Sequence, residues 1–182
     1  YPVEFLAASM TYDMGNTDKL NVFRQELQAQ GITLLPPDVN RSERDFLVET
    51  LPDGTLAIRY ALAAIKNVGG PAMEALVDER DENGSYKTLG DFATRIDSRS
   101  VNKRSLENLV RSGATDALEK NRARLFDGAD VVLRHATAAA EERASDQVNL
   151  FGGDDEPRDA RINLPARHDW SALDRLQHEF EA

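Results

Sequence analysis

The sequence predicts a mainly α-helical chain carrying one small β-hairpin, on the strength of three observations. Apolar residues recur at helical spacing over most of the 182 residues, as in Leu20, Phe23 and Leu27 or Leu106, Leu109 and Val110. Those stretches stop at glycine: Gly31 follows the first set and Gly113 the second. Only "DFLVETLPDGTLAIRY", residues 45–60, sets two short β-prone runs around a Pro52-Asp53-Gly54 turn, which is a hairpin signal. A chain that is 41% hydrophobic and 30% charged has the composition of one ordinary globular domain or two small ones.

Taken in order, Pro2 opens a short helix that ends near Met14-Gly15, and Thr17 caps a second one. "ITLLPPDVN" is extended and stopped by Pro36-Pro37, because a residue before proline avoids the helical region. The hairpin follows. Beyond it the chain turns helical: "LAAIK" leads through "NVGG" into "PAMEALVDER", and a turn at Asn83-Gly84 precedes "LGDFATRI". "NKRSLENLVRSG" makes the next helix, and a longer alanine-rich one is expected over residues 121–143. Glycine, proline and acids then dominate residues 145–167, the composition of a mobile linker. Within it Leu150 and Phe151 stand in front of "GGDDEP", where no core is available to them.

Several classes of function are disfavoured. Cysteine is absent, so there is neither a disulfide framework nor a thiolate metal site, which suits a reducing cytoplasm. His135, His168 and His178 lack metal-ligand spacing and are expected at the surface. Asp154 and Asp155 are read as solvated linker acids rather than a metal pair. No nucleophile–base arrangement or phosphate-loop motif occurs, so neither a catalytic residue nor a cofactor is expected in this chain. No apolar run approaches the roughly 20 residues of a membrane span. The start without Met and the end within a helical pattern are expected of a piece of a longer protein.

Net charge is −10, which by itself disfavours nucleic acid. Its distribution matters more than its sum. Residues 1–58 carry 4 basic and 9 acidic side chains, and residues 125–182 carry 6 and 13. Residues 59–124 carry 12 and 10, and residues 99–124 hold 7 basic against 3 acidic ones. A surface facing DNA belongs in that middle block.

"AIKNVGGPAMEALV" has the form of two helices joined by a glycine turn, with Pro71 at the start of the second helix. Lys66, Asn67, Val68, Gly69 and Gly70 form the turn. Amides without side chains above them, at the positive end of a helix dipole, suit a phosphate, and Lys66 adds charge. A plain helix–helix turn accounts for the same residues about equally well. A second helical pair follows, joined by "DSRSVNKRS". Arg99, Lys103 and Arg104 cluster at the start of its second helix, where cations oppose the dipole. This placement favours phosphate contact over a solvated face and gives a tandem helix-hairpin-helix unit.

"YPVEFLAA", "LPPDVNRSE.DF", "IRYALAAIKNVG", "LGDFATRID", "VNKRSLENLVRSGATD" and "NRARL" stand in the order seen in the catalytic α subunits of bacterial replicative DNA polymerase III, which the whole chain resembles. The resemblance implies a distal fingers segment at 1–58 and a little-finger, clamp-binding domain at 59–151. It further implies an acidic linker with the start of a helix at 152–182, leading to an OB-type domain. The family's magnesium-dependent palm would lie upstream, so this piece is not expected to be an enzyme although its parent would be a nucleotidyltransferase. In this context "QVNLF" matches a clamp-binding peptide, Gln-x-x-Leu-Phe. Leu150 and Phe151 would be its apolar anchor and Gln147 its polar edge, with Val148 and Asn149 between them. Implied partners are the β sliding clamp, duplex DNA held by its backbone, and other subunits of the replicative holoenzyme in a cytoplasmic, nucleoid-associated replisome. Asn67 stands where the family usually has Gly, and Gly70 where a charged residue is frequent. Asn tolerates a left-handed backbone, so the turn is expected to survive. A free-standing helix-hairpin-helix DNA-binding protein with an acidic regulatory tail is the alternative.

Overall fold

The structure, a computed structural model, describes residues 1–146 and 161–182. Helices α1 (Pro2–Tyr12) and α2 (Thr17–Ala29) come first, and α2 is capped by Asn16 rather than Thr17: the Asn16 side chain accepts from the Lys19 amide at 3.1 Å. Three short strands follow, β1 (Thr33–Leu35), β2 (Leu47–Thr50) and β3 (Leu56–Arg59), in the order β1-β3-β2. β2 and β3 are the expected hairpin, Leu47 facing Arg59 and Thr50 facing Leu56. Its turn is held by Leu51 N–H donating to the Thr55 carbonyl at 2.8 Å, with Gly54 at φ 83°. The extended "ITLLPP" segment adds a third strand, parallel to β3, with Thr33 opposite Ala57. Leu6, Met10, Leu27, Phe46 and Ile58 fill the core beneath this part.

β3 runs across residue 58 into a single 3-10 turn, Leu62–Ala64, and then into α3 (Gly70–Asn83), α4 (Leu89–Arg95) and α5 (Lys103–Arg111). After them come α6 (Arg122–Asp127), α7 (Ala129–Asp146) and α8 (Ala172–Glu181). Leu62, Met73, Phe92, Leu106, Leu109, Leu125 and Val132 make a second, larger core with no measurable exposure. Leu106, Leu109 and Val110 share one face of α5, as their spacing predicts. Gly113 then ends that helix at φ 82°, while the Ala114 amide donates back to the Leu109 carbonyl at 3.0 Å. The loop before β2 belongs to this core too. Val39 is fully buried, its amide donates to the Ala114 carbonyl at 2.9 Å, and buried Arg80 donates to the Ser42 carbonyl at 2.6 Å.

Three further expectations need correction. The first helix of the glycine hairpin is shortened to the 3-10 turn, since Ile65 is already extended at ψ 134°. The helix expected over 121–143 is two, broken at Gly128. A Cβ there would lie 2.5 Å from the Leu164 side chain, so a distant segment packs into the break. The linker expected over 145–167 fails at both its ends, while residues 147–160 lie outside the described residues: α7 continues through Asp146, and residues 161–167 pack on the body. Leu164 is buried, Arg124 donates to the Pro165 carbonyl at 3.2 Å, and Asn121 to the Arg167 carbonyl at 2.8 Å.

Candidate nucleic-acid interface

In the glycine turn the apolar residues point inward and the remainder outward. Ile65 and Val68 are buried at 4% and 2% exposure, leaving Lys66, Asn67 and Gly69 at the surface. Asn67 takes φ 62° and Gly69 φ 76°, so two residues in the left-handed region bend the chain sharply before α3. Gly69 is the α3 N-cap without a capping side chain, and no acidic residue lies in that helix's first turn. The turn is pinned from outside: the Ser105 hydroxyl donates to the Asn67 carbonyl at 2.9 Å, and the Lys66 amide donates to the Ala182 carbonyl at 2.7 Å.

The second connection, residues 96–102, is built differently. Ile96 and Val101 are buried, while Asp97 accepts from the Arg99 amide at 2.9 Å and the Ser100 hydroxyl at 3.0 Å. These bonds hold the Asp97 carboxyl below its ordinary range, the Arg99 amide contributing most. Asn102 caps α5 by accepting from the Ser105 amide at 2.9 Å. Lys103 and Arg104 are therefore the first two helical residues, with no acid in that turn.

The cations sort into two groups. Lys66, Arg99 and Arg104 are exposed and form no ion pair among the described residues. Lys103 is tied to Asp130 of α7 at 2.6 Å, and that bond raises its pKa above the ordinary lysine value. Ser105 brings the two connections together: it sits at the start of α5 and holds the first turn, so the start of α5 lies beside Asn67. Sequence reasoning missed Ser105, because its partner lies 38 residues away and no periodic pattern marks that distance. It missed Arg44 as well, whose guanidinium lies over Gly70.

α8 packs against α5 and ends at the first turn, where the Ala182 carbonyl takes the Lys66 amide. Arg122, 7% exposed, pairs with Asp116 at 2.7 Å and with Glu179 of α8 at 2.7 Å. Trp170 stacks on His178 at 3.7 Å between centroids, and Phe126 meets Trp170 edge-on. Of the three histidines expected at the surface, His178 is thus partly buried; that burial, with Arg111 nearby, lowers its pKa. Gln147, Val148, Asn149, Leu150 and Phe151 lie outside the described residues. Among the described residues no His/Cys/Asp/Glu group has the makings of a metal site, and no helix is long and apolar enough to cross a membrane.

Comparison with known proteins points the same way. The profile of the helix-hairpin-helix motif family matches residues 31–125, a span that contains both connections. The chain is 48% identical over 181 residues to the DNA polymerase III subunit alpha of Caulobacter vibrioides, covering 100% of this chain and 15% of that relative. The same subunit of Thermus aquaticus is 43% identical over 157 residues, covering 86% of this chain and 12% of the relative. That of Borreliella burgdorferi is 35% identical over 183 residues, 100% of this chain and 16% of the relative. The chain therefore spans about a seventh of the length of these curated relatives.

Proposed function

We propose a function from one premise, that the chain belongs to the helix-hairpin-helix motif family: it is the part of a replicative DNA polymerase that grips the duplex backbone and tethers the enzyme to its sliding clamp. One observation carries the DNA half of this reading. The Ser105–Asn67 hydrogen bond sets the bare first turn beside the basic start of α5, with Lys66 and Arg104 exposed and in no ion pair among the described residues. Two turns side by side suit successive phosphates. Main-chain amides and cations that meet phosphates carry no sequence information, so binding is independent of sequence. The clamp half is supported by the Gln-x-x-Leu-Phe pattern of Gln147, Leu150 and Phe151. A short peptide of this kind binds weakly alone, and the DNA contacts strengthen it through effective concentration. In this reading nucleotidyl transfer and its magnesium belong to the rest of the parent protein, and other subunits of the holoenzyme are further partners.

The test is a pair of titrations. The chain should bind fluorescent duplexes of unrelated sequence with equal affinity that drops steeply between 50 and 200 mM salt, on the order of tenfold or more. It should bind a bacterial sliding clamp, and replacing Gln147, Leu150 and Phe151 by Ala should abolish that binding while leaving helicity and DNA affinity unchanged. Sequence-selective or salt-insensitive DNA binding refutes the first half. Undiminished clamp binding by the triple variant refutes the second.

A further inference from the structure

We infer that Asn83 is a site of spontaneous covalent modification, its carboxamide converting to a carboxylate through attack by the Gly84 nitrogen. Of the ten asparagines in the chain, Asn83 alone precedes glycine. Any other residue at the next position shields the main-chain nitrogen with its Cβ, and glycine does not. Asn83 ends α3, and Asn83, Gly84 and Ser85 are all exposed. The amides just past α1 and α2, those of Asp13 and Gln30, are tied to the Ser9 and Glu26 carbonyls at 3.1 and 3.0 Å. The Gly84 amide makes no such bond among the described residues, so its nitrogen is not spent on closing the helix. Gly84 stands at φ 86° in open space, with nothing within 4 Å of the place a Cβ would take. The carboxamide is held only by Nδ2, which donates to Glu79 Oε1 at 3.0 Å in an exposed bond. Terminal turns of helices fray, and fraying lets the Asn83 side chain swing onto the nitrogen that follows it.

The reaction needs only hydroxide and water. Gly84 nitrogen gives its proton to hydroxide and forms a bond to Asn83 Cγ; Nδ2 leaves as ammonia, and a cyclic imide remains. Water opens the imide at either carbonyl. One opening yields aspartate, the other isoaspartate, in which the main chain runs through Cβ and Cγ and is longer by one carbon. Both products disturb the end of α3. A carboxylate at position 83 stands one turn from Glu79 and at the negative end of the helix dipole, and both neighbours repel it. Arg95 is the cation at hand, but it already donates to Glu79 Oε1 at 3.0 Å and to the Gly84 carbonyl at 2.6 Å. Isoaspartate inserts its carbon shortly before Tyr86, which is 2% exposed and fixed three ways. The Tyr86 hydroxyl donates to the Leu76 carbonyl at 2.7 Å, its amide to Asn40 Oδ1 at 2.8 Å, and its carbonyl accepts from Asn40 Nδ2 at 2.9 Å. The modification therefore acts on the link between α3 and α4, where the first hairpin joins the second.

The test is a peptide map by mass spectrometry of the whole chain held in mildly alkaline buffer, once native and once in denaturant. Asn83 should exchange NH for O on the order of tenfold or more faster than Asn21 and Asn67, which are exposed but precede valine. Its native rate should stay close to its unfolded rate and rise in proportion to hydroxide. Asn108, 4% exposed within α5, should be protected by folding. Asn83→Gln should stop the exchange in this peptide, because a longer side chain must close a larger ring, and Gly84→Ala should slow it by shielding the nitrogen. Denaturation midpoints verify that both variants fold. The fraction carrying isoaspartate should unfold at lower denaturant than the unmodified chain, and Asn83→Asp, without the inserted carbon, should lose less. If native Asn83 is as slow as Asn21 and Asn67, or converts only when unfolded, the end of α3 protects it and the proposal is wrong. Undiminished exchange in Asn83→Gln refutes it too, and an unchanged midpoint in the isoaspartate fraction refutes the effect on the α3–α4 link.

Discussion

The two hairpins do the same topological work by opposite means. The first bends through Asn67 and Gly69 at positive φ and presents main chain to solvent. The second makes its turn over residues 96–102 with no positive φ, stapled by Asp97, and presents side chains at the start of α5. Backbone amides are fixed in place by the fold and carry little charge. Arginine and lysine carry full charge but must be ordered on binding. A surface that combines both has one rigid contact for position and one cationic contact for strength, and Ser105 holds them in register.

The contrast breaks most directly at Gly69. A Cβ there has room, its nearest neighbour being Ala72 at 4.0 Å, so any penalty of Gly69→Ala comes from the φ of 76° and not from crowding. We expect a loss of about 2 kcal/mol in denaturant unfolding, together with weaker duplex binding. Ser100→Ala, in the second connection, should lose about 0.5 kcal/mol, since only exposed hydrogen bonds to Asp97 go with it. Equal losses at the two sites would erase the distinction.

A smaller effect probes the link between the hairpins. Ser105 is 2% exposed, and alanine there removes the bond to the Asn67 carbonyl, a loss of about 1 kcal/mol. Threonine retains a hydroxyl and should recover part of it. In a double-mutant cycle Ser105→Ala and Gly69→Ala should be non-additive, because both act on one turn. Strict additivity would mean that the two hairpins are independent units.

Much of this architecture is legible in the sequence, and most of what is not has one cause. Leu106, Leu109 and Val110 announce their face by spacing, the Pro52-Asp53-Gly54 turn announces the hairpin, and Asn67 adopts the left-handed region that its side chain tolerates. These are local properties. Most of the missed features are set by distant partners: β1 pairs parallel to β3, Leu164 packs at Gly128 where the helix breaks, and Ser105 and Arg44 reach the first turn from other segments. Trp170 and His178 meet against α6 only because residues 161–182 fold back on it, which no local pattern signals. Local chemistry locates the turn; which side chains surround it is decided by the tertiary fold.

The finest test of the comparison lies within the second hairpin, between adjacent cations. Lys103 and Arg104 are both exposed, yet Lys103 is bonded to Asp130 and Arg104 forms no ion pair among the described residues. The Lys103–Asp130 pair presents no net charge to a distant phosphate, while Arg104 presents a whole one. Arg104→Ala should therefore reduce the salt slope of duplex binding by about 0.9, and Lys103→Ala by clearly less. Asp130→Asn releases Lys103, so it should raise affinity and make a subsequent Lys103→Ala as damaging as Arg104→Ala. Both partners of the pair are half exposed, and salt screens their attraction, so the difference between the two alanine variants should narrow as ionic strength rises. Equal slope changes at the lowest salt would show that the Asp130 contact leaves Lys103 free to meet DNA, and the second hairpin would then carry two cationic contacts against the first one's backbone.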